Sequence, residues 1–161
     1  MTRLYKTANK VAHVAQLQPY MRIGGLNMGT PFMSALLQTD GSFHPKTGLS
    51  RVAMLLKSEN GMTETKNMVN ISKCVDSTET EWASVSQGLL FALDNGERNI
   101  NIENDNFSVV SNLILRDSVP KQDYAKYYRY IILSTANKTL WTGIRWIPRE
   151  MNKADTLFRL K

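Results

Sequence analysis

The sequence predicts an α/β domain with a mixed sheet that carries helices on its faces, because its hydrophobic repeat changes along the chain. Three strand-like segments come first, at residues 35–38, 49–57 and 64–72. Segments with helical spacing then alternate with single strands, which gives the order β-β-β-α-β-α-α-β-α. Consecutive strands joined by short connections are most simply an antiparallel meander.

Turn signals bound the first three strands. The apolar run at residues 35–38 leads into Asp40-Gly41-Ser42, three common turn formers. The second strand contains the run Val52-Ala53-Met54-Leu55-Leu56, and Ser58-Glu59-Asn60-Gly61 separates it from the third. That separation is typical of a hairpin.

The second half of the chain changes to helical spacing. Apolar residues recur from Trp82 to Leu93, and the following Asn95-Gly96 is a good helix stop. Ile100 and Ile102 alternate as in a short strand. The remaining elements are predicted as a helix at residues 107–115, a helix after Pro120, a strand at 140–147 and a short helix at 152–160.

Composition is typical of a soluble globular protein of one domain. The 161 residues are enough to bury a core, and the hydrophobic fraction of 42% and charged fraction of 21% are ordinary. No apolar run approaches the length of a membrane span, so we expect no membrane partner. The single cysteine, Cys74, excludes an internal disulfide framework and a multi-cysteine zinc site.

Charge is unevenly distributed along the chain. Residues 1–39 contain four basic side chains and no acid, residues 40–120 contain seven basic and eleven acidic ones, and residues 121–161 contain nine and three. An acidic middle between basic ends suggests an anionic partner that the ends hold, while the acids serve another role. Ordinary solvated faces are the alternative.

Residues 1–33 are predicted to be a basic extension that precedes a domain at residues 34–161. Residues 5–18 have the spacing of a basic amphipathic helix, and glycines and a proline follow it. Three roles remain open: an organelle transit peptide, a docked extension and a nucleic-acid-binding arm. The expected location is intracellular, in the mitochondrion for a transit peptide and otherwise in the cytoplasm or nucleus.

Four carboxylates occupy special positions in this order of elements. Asp40 follows the first strand and Asp105 the fourth, while Glu81 lies in the first turn of the first helix and Asp155 opens the last one. Strand ends and helix ends of an α/β fold gather at one edge of the sheet, so the four can converge. Oxygen ligands suit Mg²⁺, and two such ions about 3.5–4 Å apart can activate a water in phosphodiester cleavage.

Each acid also has an ordinary explanation. Asp40 is explained by a turn, and Glu81 by the capping-box spacing of Thr78-Glu79-Thr80-Glu81. Asp105-Asn106 fits a turn, and Asp155 fits a charge that complements a helix dipole. If the four converge, they repel one another and raise their own pKa values unless cations neutralise them.

Four motifs in order resemble type 1 ribonuclease H over about residues 34–160. They are Thr39-Asp40-Gly41-Ser42, then Glu81 with Gly88-Leu89 and Ala92-Leu93 behind it, then 102–106 (IENDN), then 146–155 (WIPREMNKAD). The last one looks most like the plant and retroelement branch, whose motif ends W-x-P-R-E-x-N-x-x-A-D. The single motifs are weak, but the ordered set at these spacings is specific.

The resemblance implies a ribonuclease H-like mixed five-stranded sheet, with three antiparallel strands followed by parallel ones. It also implies cleavage of the RNA strand of RNA–DNA hybrids with two Mg²⁺ ions, for which Mn²⁺ is a possible substitute. The family's catalytic and metal-binding carboxylates then map to Asp40, Glu81, Asp105 and Asp155. Glu79 is a second choice for the helix position, but the spacing to Gly88 and Leu89 favours Glu81.

Hybrid recognition requires contacts to 2′-hydroxyls on one strand and to phosphates on the other. We expect Gly41 to allow close backbone approach, and Ser42 and Asn106 to hydrogen-bond RNA beside the metals. Ser77 and Thr78 are candidates for holding a phosphate at the helix start, although an N-cap is the more ordinary role for Thr78. Arg149 is the remaining candidate for nucleic-acid binding.

One departure from the family keeps a second function open. Many members place a histidine in the loop before the last aspartate, and this chain has Arg149 and Glu150 there. That difference and the basic extension favour a non-enzymatic RNA-binding or scaffold subunit of a larger RNA–protein assembly. The complete set of four acids favours the nuclease, because a scaffold has no need to retain acids that repel one another.

Overall fold

The computed structural model describes residues 17–26, 33–115 and 119–159. The strands are β1 (Met21–Gly24), β2 (Ala35–Phe43), β3 (Ser50–Lys57), β4 (Glu64–Ile71), β5 (Asn99–Asn104) and β6 (Trp141–Trp146). The α-helices are α1 (Ser77–Asp94), α2 (Phe107–Ile114) and α3 (Asp123–Ala136). Two 3₁₀ helices follow β6, at Arg149–Met151 and Lys153–Arg159.

The strands form one mixed sheet in the order β1-β6-β5-β2-β3-β4. β2, β3 and β4 form the predicted antiparallel meander. β5 pairs in parallel with both β2 and β6, so these three strands end at the same edge of the sheet. The predicted α/β architecture is therefore confirmed.

The sheet has six strands rather than the five predicted. The additional strand, Met21–Gly24, pairs antiparallel with β6 and lies within residues 1–33, which the sequence assigned to an extension. It has only four residues and stands beside Gly24-Gly25, so its strand signal is weak. Most of the helix predicted at residues 5–18 lies outside the described residues, and the roles proposed for that segment stay predictions.

Two apolar clusters lie on opposite faces of the sheet. Along β3, Val52, Met54 and Leu56 join the larger cluster, to which all three α-helices contribute. The alternate residues Ala53 and Leu55 join a smaller cluster with the 3₁₀ helix Lys153–Arg159. Successive side chains of β3 point to opposite faces of the sheet, and helices cover both faces. β3 is therefore apolar along most of its length.

The helices end close to where the sequence predicts. α1 ends at Asp94, Asn95 follows as its C-cap and Gly96 has a positive φ of 84°, which confirms the predicted stop. The helix predicted at residues 152–160 is instead the 3₁₀ helix Lys153–Arg159. No helix in the described ranges is long and apolar enough to cross a membrane.

Candidate active site

Asp40 lies inside a strand and not in the turn that its neighbours suggest. β2 continues to Phe43, with Asp40 opposite Ala53 and Gly41 opposite Val52 on β3. The pairing of β2 with β5 ends earlier, at Gln38 and Glu103. Asp40 therefore lies just beyond the parallel part of the sheet, with only 8% of its surface exposed. The turn interpretation is wrong because β3 supplies partners for the whole stretch.

Two glycines let α1 approach β2 closely enough to bring Glu81 to Asp40. A Cβ on Gly41 would lie 2.6 Å from the carbonyl carbon of Thr80, and a Cβ on Gly88 would overlap the side chain of Thr39. The Gly41 N–H also donates to Oε1 of Glu81. The close backbone approach expected of Gly41 is thus made to the helix that carries Glu81.

Asp105 follows the end of β5 and is fixed from two sides. The indole N–H of Trp146 donates to the backbone carbonyl of Asp105 at 2.9 Å. The Nδ2 of Asn152 lies 3.3 Å from Oδ2 of Asp105 and 2.9 Å from the backbone oxygen of Thr39. Asn152 is buried, and its amide ties the loop after β6 to Thr39 in β2 and to the residue that follows β5.

Three of the four predicted carboxylates form one compact cluster. Asp40, Glu81 and Asp105 each offer one oxygen, and these oxygens all lie within 4.8 Å of one another. They come from a strand, a helix and a loop that are far apart in sequence. The cluster thus depends on the fold, and none of its members is explained by a local turn or cap.

Burial and mutual repulsion raise the pKa values of this cluster. Burial is the largest of the causes that raise the pKa of Asp40 to about 7. The charge of Asp105 raises this pKa further, and Asp155 adds to the effect. Burial and the charge of Asp40 raise the pKa of Glu81 well above its usual range, although the Gly41 N–H opposes that shift. Burial also raises the pKa of Asp105, against the opposing effects of Asn152 and Arg149.

Asp155 lies beside the cluster on the 3₁₀ helix Lys153–Arg159. Its charge and a hydrogen bond both act on Asp40, and its charge also acts on Asp105. Its Oδ2 accepts from the Arg159 guanidinium at 2.9 Å. Asp155 is half-buried, as is Asp105, whereas Asp40 and Glu81 are buried.

The donor set fits a hard divalent cation. Three converging carboxylate oxygens are ligands that Mg²⁺ prefers, and nitrogen or sulfur ligands are absent from this described group. The raised pKa values of the three acids also fit a cation site, because a nearby cation would favour the ionised forms that burial and repulsion disfavour. Asp40, Glu81 and Asp105 would hold the ion, with Asp155 beside them.

The start of α1 differs from its prediction. Its N-cap is Asp76, whose carboxylate accepts from the Glu79 N–H at 2.9 Å, and Glu79 in turn accepts from the Val75 N–H. Thr78 is therefore not the cap, and Glu79 serves the helix start and not the carboxylate cluster. Ser77 and Thr78 lie in the first turn, where Asp76 already supplies a negative charge. Phosphate binding by these two residues stays a prediction.

The other predicted contacts to nucleic acid surround the cluster. The Ser42 hydroxyl on β2 lies 3.5 Å from the Arg51 guanidinium. Asn106 caps α2, with its side-chain oxygen accepting from the Val109 N–H at 3.0 Å. Arg149 is exposed and close enough to lower the pKa of Asp105, so it places a positive charge at the mouth of the site.

Sequence reasoning missed the buried amides that hold these acids. The Nδ2 of Asn104 donates to both oxygens of Thr39, and its Oδ1 accepts from the Asn106 N–H. Asn152 has a comparable role, as described above. The available signal was their position inside two of the motifs, where a buried polar side chain requires partners.

Another buried acid, Glu103 on β5, has hydrogen-bond donors at both of its carboxylate oxygens. Arg145 donates to its Oε2 at 2.6 and 2.9 Å, and the Tyr20 hydroxyl donates to the same oxygen at 2.8 Å. Gln38 donates to Oε1 at 2.9 Å. The Arg145 guanidinium also lies 4.2 Å from the centre of the Tyr20 ring. We call these four residues the Glu103 network.

Comparison with known proteins agrees with this geometry. The family described as reverse transcriptase-like matches residues 38–158, which include all four predicted carboxylates. RNase H1 from the halophilic archaeon Halobacterium salinarum NRC-1 is 20% identical, with a TM-score of 0.65, and the match covers 76% of this chain and 92% of that one. No curated protein matches the sequence.

A second solved structure gives a similar result. The N-terminal RNase H domain of a Mycobacterium tuberculosis protein, solved as a fusion with maltose-binding protein, is 19% identical to this chain. The match has a TM-score of 0.68 and covers 76% of this chain and 94% of that one. At this level of identity the likeness shows the fold, so the predicted ribonuclease H-like fold is confirmed. The plant and retroelement branch stays a prediction.

Proposed function

The chain belongs to the reverse transcriptase-like family and has the ribonuclease H fold, and from that premise we propose that it hydrolyses the RNA strand of RNA–DNA hybrids. One observation carries the proposal. Asp40, Glu81 and Asp105 converge from three elements into a cluster whose pKa values are raised by burial and repulsion. Retaining such a cluster costs stability, which is reasonable if a bound cation offsets the cost.

The proposed cofactor is Mg²⁺, held as two ions by the four carboxylates, with Mn²⁺ as a possible substitute. When bound, such a pair would activate a water and stabilise the leaving oxygen of a phosphodiester. Carboxylates and water-filled coordination positions suit Mg²⁺, which retains several waters.

The protein's own residues would orient the ligands and the substrate. The Gly41 N–H directs one oxygen of Glu81, and the amide of Asn152 directs one oxygen of Asp105. Asp155 is less buried than Asp40, and we propose that it meets the nucleic-acid backbone. Arg149 is positioned to attract a phosphate, and Ser42 and Asn106 are proposed to contact the RNA strand through 2′-hydroxyls.

Cleavage of defined duplexes tests this proposal. The protein is incubated with Mg²⁺ and end-labelled RNA–DNA hybrid, double-stranded RNA or double-stranded DNA of one sequence. We expect cleavage of the RNA strand of the hybrid and no cleavage of the other two duplexes. Replacing Mg²⁺ by EDTA is expected to stop the reaction, and Mn²⁺ is expected to restore it.

The same assay separates the nuclease from the non-enzymatic alternative. A protein that binds hybrid or RNA tightly in Mg²⁺ and cleaves neither would be the RNA-binding scaffold. Equal cleavage of hybrid and double-stranded RNA would retain the hydrolytic chemistry and overturn the proposed substrate.

A further inference from the structure

The Glu103 network has a connection to the candidate active site through Gln38. Gln38 lies on β2 two residues before Asp40, so both side chains leave the same face of the strand. Only 6% of its surface is exposed. Its amide lies between β5, which carries Glu103, and the loop after β6, which leads to Asp155.

The hydrogen bonds of Gln38 join these two elements. Its Nε2 donates to Oε1 of Glu103 at 2.9 Å and to the backbone oxygen of Met151 at 3.2 Å. Its Oε1 accepts from the backbone N–H of Lys153 at 3.0 Å. Lys153 is the first residue of the 3₁₀ helix that carries Asp155. The whole amide is therefore used, with two donated bonds and one accepted bond.

The orientation of this amide follows from its neighbours. The Glu103 carboxylate, which is paired with Arg145 and accepts from Tyr20, accepts hydrogen bonds, and a carbonyl oxygen does the same, so Nε2 faces both of them. That leaves Oε1 directed at Lys153, whose backbone N–H can only donate. The Glu103 network thus fixes which end of Gln38 meets the loop.

Ile147, at the start of the loop, bonds through its N–H to the backbone oxygen of Asn104 on β5, and the next backbone bonds of the loop are local. The N–H of Met151 bonds to Pro148, and the N–H of Asn152 bonds to Arg149. Side chains from β2 and the loop supply the links to the sheet: Gln38 to Met151 and Lys153, and Asn152 to Thr39. Both links end within the four residues that precede Asp155.

We propose that Gln38, oriented by Glu103, is a positioning residue that sets the place of Asp155 relative to Asp40 and Asp105. This inference rests on the proposed function for its kinetic consequence, but not for its structural one. If Gln38 is replaced, the start of the 3₁₀ helix loses its bond to β2, while the Asn152 bond to Thr39 and the apolar contacts of Ala154 and Leu157 remain. Asp155 then shifts relative to the cluster without the helix detaching. A misplacement of about 1 Å at a reacting group can reduce a rate about 100-fold.

The test compares wild type with Gln38→Met, which retains the length of the side chain and removes all three hydrogen bonds. We expect the Lys153 amide to exchange with solvent at least about tenfold faster, because it loses its acceptor. We expect kcat for hybrid cleavage to fall about 10- to 100-fold with KM for hybrid changed less than about threefold. In a protein that already carries Asp155→Asn, Gln38→Met is expected to cause no further fall in kcat, because Gln38 would act through Asp155.

Thr142→Val is the matched control. Thr142 is also fully buried and bonded, with its hydroxyl 2.7 Å from that of Thr139, but it lies at the opposite end of β6. It is expected to lower the melting temperature and leave both Lys153 exchange and kcat unchanged. If Gln38→Met does not fold, Gln38→Ala takes its place, since it removes the same three hydrogen bonds and carries the same expectation for Lys153 exchange and kcat.

The outcomes separate this inference from the proposed function. Unchanged exchange at Lys153 in the Gln38 variant would overturn the inference, as would losses in kcat that add fully to those of Asp155→Asn. If the wild-type protein cleaves no hybrid, the proposed function fails, and faster exchange at Lys153 in the Gln38 variant alone would still support the positioning role.

Discussion

Glu103 and Asp105 lie two residues apart at the end of β5 and meet opposite electrostatic surroundings. Glu103 is buried among an arginine, a tyrosine hydroxyl and a glutamine amide, all of which donate to it. Asp105 faces two other acids, Asp40 and Glu81, and one oxygen from each of the three lies within 4.8 Å of the other two. One buried acid is thus neutralised within the protein, and the other belongs to a group with excess negative charge.

The difference indicates which buried charge is structural and which is functional. A buried charge that is fully partnered adds specificity to the fold, whereas a cluster of like charges destabilises it unless something else binds. The Glu103 network also holds the loop that leads to Asp155. In our proposal the structural acid supports the acids of the carboxylate cluster, and mutation can separate the two regions.

The largest effect on stability is expected from breaking the structural region. Arg145→Met leaves Glu103 buried without its cation, so we expect the free energy of unfolding to fall by about 3 kcal/mol. Only 4% of the Glu103 side chain and 22% of the Arg145 side chain are exposed, so solvent cannot replace the lost charge. Urea denaturation measures the change.

Lys66→Met is the control for that experiment. Lys66 and Glu64 form an ion pair at 3.4 Å on β4, but their side chains are 52% and 40% exposed. Exposed pairs contribute little, and the expected change is within about 0.5 kcal/mol. A loss for Arg145→Met no larger than this would contradict the structural role given to the Glu103 network.

Removing one charge from the carboxylate cluster is expected to increase the stability of the fold when no metal is bound. The pKa of Asp40 is raised to about 7 in the fold, chiefly by burial, whereas the pKa of an unfolded aspartate is about 4. Between these values the unfolded state binds fewer protons, so the stability of the wild type falls as pH rises. In EDTA at pH 8, Asp40→Asn is expected to raise the free energy of unfolding by on the order of 2 kcal/mol.

The pH dependence makes that prediction specific. Near pH ~4 the wild-type side chain is protonated in the fold, and the advantage of Asp40→Asn is expected to vanish. Glu59→Gln, at an exposed acid in the turn between β3 and β4, is expected to change stability by less than about 0.5 kcal/mol. A wild type more stable than Asp40→Asn at pH 8 would mean that the cluster is already neutralised by the protein.

A smaller effect is expected from adding the cation. Mg²⁺ that binds only the folded state at about ten times its dissociation constant stabilises the protein by about 1.4 kcal/mol. For a domain of this size that raises the melting temperature by about 3–5 °C. Asp40→Asn is expected to lose most of the shift, measured at constant ionic strength. An equal shift in both proteins would indicate binding away from the cluster.

Much of the fold could be predicted because the turn residues fall where the spacing of apolar residues changes from one element to the next. The hairpin at Ser58-Glu59-Asn60-Gly61 and the stop at Asn95-Gly96 are local signals, and the structure contains both. β1 could not be predicted, because a four-residue strand is defined by its pairing with β6 and not by its own pattern. The turn interpretation of Asp40 was wrong for the same reason: pairing with β3 keeps Asp40-Gly41-Ser42 in a strand although all three are turn-forming residues.

The candidate site was predictable in part for a similar reason. The acids could be identified because four carboxylates fall at predicted strand ends and helix starts, within an ordered set of motifs. Gln38 and Glu103 could not be identified, since their importance depends on contacts between β2, β5 and the loop before Asp155. Asp76 was missed as the cap of α1 because Thr78 offered an equally good capping spacing.

The most direct test of the account is Mg²⁺-dependent hybrid cleavage by wild type and Asp40→Asn, with the stability of both proteins measured in the same buffer. We predict that Asp40→Asn is folded, is more stable than wild type without Mg²⁺, and cleaves at least about 1000-fold more slowly. Cleavage by Asp40→Asn within about threefold of the wild-type rate would contradict the assignment of the buried carboxylate cluster as the active site.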